Sequence, residues 1–157
     1  MSEIICNSKI EYLTNNREET FNAGFKFADK LLPGTVVALY GDLGTGKTVF
    51  TQGICKGLGI SSYVTSPSFT IVQEYKGDID VYHFDFYRLR TLYEAVDIGF
   101  EHYLEREAAV IIEWPQIIEQ ILPEDSIKVR LAYVYKNGAF MENLRKIQIE
   151  LCKIKVG

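Results

Sequence analysis

The chain has 157 residues, of which 47% are hydrophobic and 24% charged, and carries a net charge of −4. That is enough for one domain, taken as residues 1–157, with a single sizeable core; it excludes a disordered chain, and the acidic balance argues against tight, direct binding of RNA or DNA. Cys6, Cys55 and Cys152 are odd in number and form no C-x-x-C pair, so they read as reduced, packed thiols rather than a disulfide framework or a zinc site. The start, Met1-Ser2-Glu3-Ile4-Ile5, is unlike a signal peptide, and no apolar run approaches membrane-spanning length. A cytoplasmic protein without membrane contact is expected.

In chain order, Ile10-Glu11-Tyr12-Leu13 is strand-like. Asn16 with Glu19 three residues on has capping-box spacing and opens a helix that runs on to Leu31-Leu32 and stops at Pro33-Gly34. Thr35 to Tyr40 is short, apolar and β-branched, the pattern of a buried parallel strand. A glycine-rich loop follows, then a helix from about Lys47 to Gly57. Phe69 to Tyr75, the turn Lys76-Gly77-Asp78, and Ile79 to Tyr87 form a hairpin pattern, which predicts a mixed sheet. A short helix spans Leu92 to Ile98. Ala108 to Glu113 is a second buried strand with a carboxylate at its end. A short helix and Pro123 lead to alternating residues from Ile127 to Tyr135, the turn Asn137-Gly138, and a return strand through Ile147, Ile149 and Leu151, a C-terminal hairpin at about 126–154. The fold class is therefore α/β, with a mixed parallel and antiparallel sheet flanked by helices, and the G-x-x-x-x-G-K-[ST] loop at Gly41 to Thr48 makes it a P-loop NTPase-like domain.

The segment Gly41-Asp42-Leu43-Gly44-Thr45-Gly46-Lys47-Thr48 matches G-x-x-x-x-G-K-[ST] between a predicted strand and a predicted helix, the setting that motif requires. Gly41, Gly44 and Gly46 let the main chain approach a ligand, so that successive N–H groups form an anion nest at a helix N-terminus. Lys47 is expected on the β- and γ-phosphates of ATP and the Thr48 hydroxyl on Mg²⁺, which takes few protein ligands.

Glu113 ends a buried strand, the usual place of a Walker B acid. Asp85 lies in His83-Phe84-Asp85-Phe86-Tyr87-Arg88, where a carboxylate among large apolar residues needs a metal, a cation or exposure to explain it. A metal-water or base role and a structural pair both remain open for it. The hydroxyls of Thr65-Ser66-Pro67-Ser68-Phe69-Thr70 can form a segment that reaches the γ-phosphate or a simple turn. Trp114 follows the acid and reads as core or as site rim. His83 and His102 lack metal-ligand spacing and read as structural. A small-molecule P-loop kinase would carry lid arginines, and here only Arg88 and Arg90 offer themselves. A guanine reader would carry Asn-Lys-x-Asp, which is absent. A nucleotide-gated binding module with negligible turnover would share every residue of this site.

Four motifs in this order and spacing, Gly41 to Thr48, Thr65 to Thr70, His83 to Leu89 and Ile112-Glu113-Trp114-Pro115, resemble the TsaE family, also called YjeE. The resemblance covers nearly the whole chain. It implies an ATPase of bacterial tRNA threonylcarbamoyladenosine (t6A) modification that associates with the TsaD and TsaB proteins and resets their complex by ATP hydrolysis, with any tRNA contact indirect. Carried over by position, Lys47 is the phosphate lysine, Thr48 and Glu113 are magnesium ligands, Asp85 is a catalytic or metal-water carboxylate, and Trp114 is functional at the rim. The start of the first helix, Asn16 and Arg17, is expected beside the adenine. The family often has Ala at the place of Thr45 and Thr at the place of Ser68, both small changes.

Overall fold

The computed structural model describes the backbone from Ser2 to Val156 and the side chains from Ser8 to Cys152. Seven strands form one sheet: β1 (Ser2–Thr14), β2 (Val36–Tyr40), β3 (Val72–Tyr75), β4 (Val81–Asp85), β5 (Ala109–Glu113), β6 (Ile127–Lys136) and β7 (Ala139–Val156). Their spatial order is β1-β7-β6-β2-β5-β4-β3. The central four, β6-β2-β5-β4, are parallel, and antiparallel partners flank them at both ends. The mixed sheet follows the sequence pattern.

Strand periodicity sorts the core into two layers, because successive side chains point to opposite faces. Val37, Leu39, Val81, Ala109 and Ile111 meet the helices α1 (Arg17–Phe27) and α2 (Lys47–Gly57) on one face. Val36, Tyr82, Phe84, Val110 and Ile112 meet α3 (Leu92–Asp97), α4 (Phe100–Tyr103) and the 3-10 turn Pro115–Ile121 on the other. With both faces covered, β4 and β5 are buried at every residue, which explains their unbroken apolar runs.

Three elements differ from the sequence pattern. The first strand is far longer than Ile10–Leu13, because it lies along β7, with Thr14 opposite Arg145 and Lys9 opposite Glu150. The first α-helix ends at Phe27 and tightens into a 3-10 turn over Ala28–Lys30 before Pro33. Strand β3 starts only at Val72, since Ile71 adopts a left-handed φ of 69° and the chain before it is a turn. Asn16 does cap α1, its side chain accepting from the Glu19 N–H, while the Glu19 carboxylate reaches back to the Asn15 N–H rather than to Asn16. Cys55 is fully buried, and burial pushes its thiol up to about 12, as a packed reduced thiol requires. The reading of Cys6 lies outside the described side chains.

Helices α1 and α2 pack unusually close. A Cβ on Gly24 would lie 2.2 Å from the Phe50 carbonyl oxygen, and one on Gly53 would lie 2.0 Å from that of Phe21. Phe27 and Phe50 stack beside this crossing at 5.8 Å. Because α2 carries the glycine-rich loop on its N-terminus, this contact also fixes where the loop stands. Gly53→Ala is expected to lose roughly 1–3 kcal/mol of stability through forced separation of backbones, despite the better helix propensity of alanine. Urea unfolding at equilibrium checks this, and a midpoint at or above that of the parent chain would contradict the close-packing account.

Candidate functional site

The site lies at the carboxyl ends of the parallel strands, where ligands bind in open α/β sheets. After β2 the chain runs through residues 41–46 into α2. Gly46 caps the helix in the left-handed region (φ 101°), and Gly44 also has φ 82°, so both need glycine. Loop closeness adds to this: a Cβ on Gly44 would come 2.8 Å from the Tyr133 hydroxyl, which donates to the Leu43 carbonyl. The Thr45 hydroxyl, buried, donates to the Asp42 carbonyl at 2.8 Å and pins the loop from inside. No side chain caps α2, and its first turn holds no acid. Its first N–H groups thus face the loop as an anion-binding end.

Lys47 donates from Nζ to the Gly41 carbonyl (2.6 Å) and the Asp42 carbonyl (2.9 Å). Burial pulls its ammonium below the usual lysine range, while the charges of Glu113, Asp85 and Asp42 push it back. Its Nζ stands 4.2 Å from the centre of the Trp114 ring, a cation–π contact. Trp114 itself has a left-handed φ of 57°, a strained conformation for a bulky residue. That kink directly after β5 turns the ring back over the site, where Tyr87 packs against it at 4.9 Å.

Asp85 and Glu113 end adjacent parallel strands in direct register. Each is at least 96% buried, at 4% and 2% exposure. Strand parity puts both on the α2 face. There the Thr48 hydroxyl donates to Glu113 Oε1 at 2.8 Å, across 65 residues of chain. Asp85 is held differently: Oδ2 accepts from Ser66 (2.8 Å) and Ser68 (2.9 Å), and Oδ1 accepts from the Tyr87 N–H (2.9 Å). Ser66 also points at Glu113 Oε2 from 3.4 Å. The segment 65–70 therefore folds over the carboxylates rather than forming a free turn.

Two adjacent buried carboxylates repel, and a divalent cation beside Thr48 would relieve that repulsion. Among the described residues no three His, Cys, Asp or Glu side chains gather into a metal cage. An open set of one hydroxyl and one or two carboxylates suits Mg²⁺, which keeps several waters and shares its remaining ligands with phosphates. A cavity of about 390 Å³ joins Lys47, Thr48, Ser66, Asp85, Glu113 and Trp114. A second hollow of about 270 Å³ lies on the other side of Gly44 and Gly46, bounded by Asn16, Arg17, Thr20, Asn143 and Arg145. Arg17 there donates to Gln52 at 3.1 Å. The structure thus brings together Lys47, Thr48, Asp85, Glu113 and Trp114, and sets Arg17 on the opposite flank of the loop. Asn143, Arg145 and Tyr133 beside the loop escape sequence reading, because the C-terminal hairpin shows only strand alternation. The neighbourhood of His83, whose Nε2 lies 3.8 Å from Glu113 Oε2, escapes it too.

This architecture, with a glycine-rich loop between β2 and α2 and an acid at the end of the neighbouring strand, defines a P-loop NTPase-like α/β protein. The family profile described as "Threonylcarbamoyl adenosine biosynthesis protein TsaE" matches residues 14–139. The chain is 39% identical over 122 residues to the tRNA threonylcarbamoyladenosine biosynthesis protein TsaE of Bacillus subtilis strain 168, covering 77% of this chain and 76% of that protein. It is 35% identical over 119 residues to the protein of the same name from Treponema pallidum strain Nichols, covering 76% and 88%. The crystal structure of Bacillus subtilis YdiB superposes with a TM-score of 0.76 at 32% identity, covering 92% of this chain and 86% of that one. The chain belongs to the TsaE family, a family of t6A biosynthesis. Among the described residues no helix is long and apolar enough to cross a membrane.

Trp114 is the one tryptophan in the sequence, and Lys47 sits on its ring. A polyphosphate that draws Lys47 away should change the tryptophan emission. Titration with ATP and magnesium is expected to give a saturable change that Lys47→Ala abolishes; a flat titration, with binding seen by calorimetry, would mean that the lysine stays on the ring.

Proposed function

We propose that the chain is a magnesium-dependent ATPase of t6A modification, acting in the cytoplasm with TsaD and TsaB and resetting their complex through ATP hydrolysis. The observation that carries this reading is the convergence of Lys47, Thr48, Asp85 and Glu113 beneath the uncapped N-terminus of α2. The triphosphate lies along residues 41–48, held by loop N–H groups and by Lys47, which leaves the loop carbonyls for the β- and γ-phosphates. The base lies in the hollow bounded by Asn16 and Arg17, on the other side of Gly44.

Thr48 and Glu113, already joined by a hydrogen bond, would hold Mg²⁺ between them. When bound, that ion supplies positive charge where negative charge develops on the transferring phosphoryl group. Asp85 takes the water side: its bonds from Ser66, Ser68 and Tyr87 fix the carboxylate, and Ser66 ties that fixation to the segment 65–70. A docked partner that shifts Ser66 and Ser68 changes how Asp85 is held, which gives partner-stimulated turnover a physical route. Trp114 closes the mouth over Lys47 and excludes water from the phosphates.

ATP hydrolysis is expected to be slow for the chain alone and faster with TsaB and TsaD together. Turnover that stays at background with both partners present would leave a nucleotide-gated binding module instead. Asp85→Asn should lower the stimulated rate by ~10² to 10⁴-fold with nucleotide affinity nearly kept. Glu113→Ala should remove the magnesium dependence of nucleotide binding with the fold intact, as read by calorimetry with and without the metal and by circular dichroism. Equal loss of rate and affinity in Asp85→Asn would assign that residue to binding.

A further inference from the structure

His83 is a further buried polar group at this site. It lies on β4 two residues before Asp85, so by strand parity its ring points to the same face. The side chain is fully buried. Neither Nδ1 nor Nε2 has a hydrogen-bond partner, although buried polar atoms are nearly always paired and an unpaired one is costly. An apolar side chain in that slot would avoid the cost. Nε2 lies 3.8 Å from Glu113 Oε2, about half an ångström beyond the hydrogen-bond range. Oε1 of the same carboxylate accepts from Thr48, and Oε2 has only the long contact from Ser66. The open donor of His83 and the under-used oxygen of Glu113 therefore face each other inside the protein.

We propose that His83 is a positioning residue for Glu113: its Nε2–H closes onto Oε2 when Glu113 turns toward a divalent cation held with Thr48, and it fixes the carboxylate in the metal-holding orientation. This rests on the magnesium site proposed above. The physical logic is that of outer-shell partners in metal sites, which orient a ligating carboxylate without touching the metal. A carboxylate with one oxygen on the metal and the other on a fixed donor keeps a single rotamer. Without the donor it swings, and the ion loses its preformed ligand. The imidazole suits the task because it is rigid and short, and it is fully buried. The unpaired Nε2 is then a cost that the turn of Glu113 relieves.

The test is nucleotide affinity, measured by calorimetry for ATP in excess magnesium and for ATP in EDTA, with thermal unfolding of the free protein. His83→Leu is expected to weaken binding in magnesium about tenfold or more while leaving binding in EDTA within about twofold, the range seen when outer-shell partners are removed. Its free form should unfold at or above the parent temperature, because two unpaired buried nitrogens are gone. His83→Gln, with an amide N–H at the depth of Nε2, should recover most of the magnesium-dependent affinity. His83→Asn, whose amide stops at the depth of Nδ1, should not. Unchanged affinity in magnesium for His83→Leu would overturn the proposal. So would equal losses in magnesium and EDTA with a lowered unfolding temperature, or equal behaviour of the Gln and Asn variants. If the parent chain itself bound ATP equally well with and without magnesium, the magnesium site would fall and the role of His83 with it; a magnesium-dependent parent and an indifferent His83→Leu would sink the inference about His83 alone.

Discussion

Two carboxylates side by side, almost out of water, set the terms for everything around them. Asp85 and Glu113 cannot be separated without changing the register of β4 on β5, and strand parity forces both onto the face that α2 covers. Buried like charges need donors and cations. The surrounding residues supply them from three places: Thr48 and the ammonium of Lys47 from α2, Ser66 and Ser68 from the loop before β3, and the Tyr87 N–H from the chain just after β4. The parallel centre of the sheet exists to bring these strand ends to one place. The antiparallel strands outside it add area, and the far end of β6 adds, through Tyr133, a hold on the loop at Leu43.

The same set of bonds divides the site into a stationary half and a half that can respond. Loop, α2 and Glu113 are fixed by the glycine crossing of α1 and α2 and by the sheet. The segment carrying Ser66 and Ser68 has no strand of its own and ends in the left-handed Ile71. Its side-chain bonds to the site are the hydroxyls of Ser66 and Ser68 on Asp85 Oδ2, with a long contact from Ser66 to Glu113 Oε2, and Ile71 at its end accepts the Asp85 N–H. An element held by a few such bonds is easier to displace than one held by a ladder.

Much of this was legible in the residues. The glycine loop, the extent of α2 and the acid at the end of β5 are local signals: a motif, a helix start and an apolar run. Both hairpins announce themselves by turns at Lys76-Gly77-Asp78 and Asn137-Gly138. What the sequence hides is what depends on distant partners. Strand β1 shows only four convincing residues because its pairing energy comes from β7, and a register shift between Cys6 and Ser8 interrupts its alternation. Ile71 gives no hint that it turns left-handed, since nothing in its neighbours demands glycine there. His83 reads as an ordinary core residue because its significance is a distance to Glu113, thirty positions away. Arg145 and Asn143 look like polar positions on a hairpin until the fold lays them beside Gly44.

The order β1-β7-β6 has a consequence in time. Strand β7, late in synthesis, slides between its hairpin partner and a strand made at the beginning, with Ile10 meeting Ile149 and Tyr12 meeting Ile147. At ~5–20 residues per second the first strand waits on the order of ten seconds on the ribosome without its neighbour. Throughout that interval Ile10 and Tyr12 lack the core they pack against, and β6, once made, lacks its outer partner until β7 follows. The glycine-rich loop lies on strands completed earlier, yet Tyr133 and Arg145, which grip it, arrive with the last hairpin. The glycine-rich loop is thus fully gripped only once the last hairpin is made, and a nascent chain stalled before residue 139 would hold the whole loop motif without the Arg145 half of the clasp that steadies it.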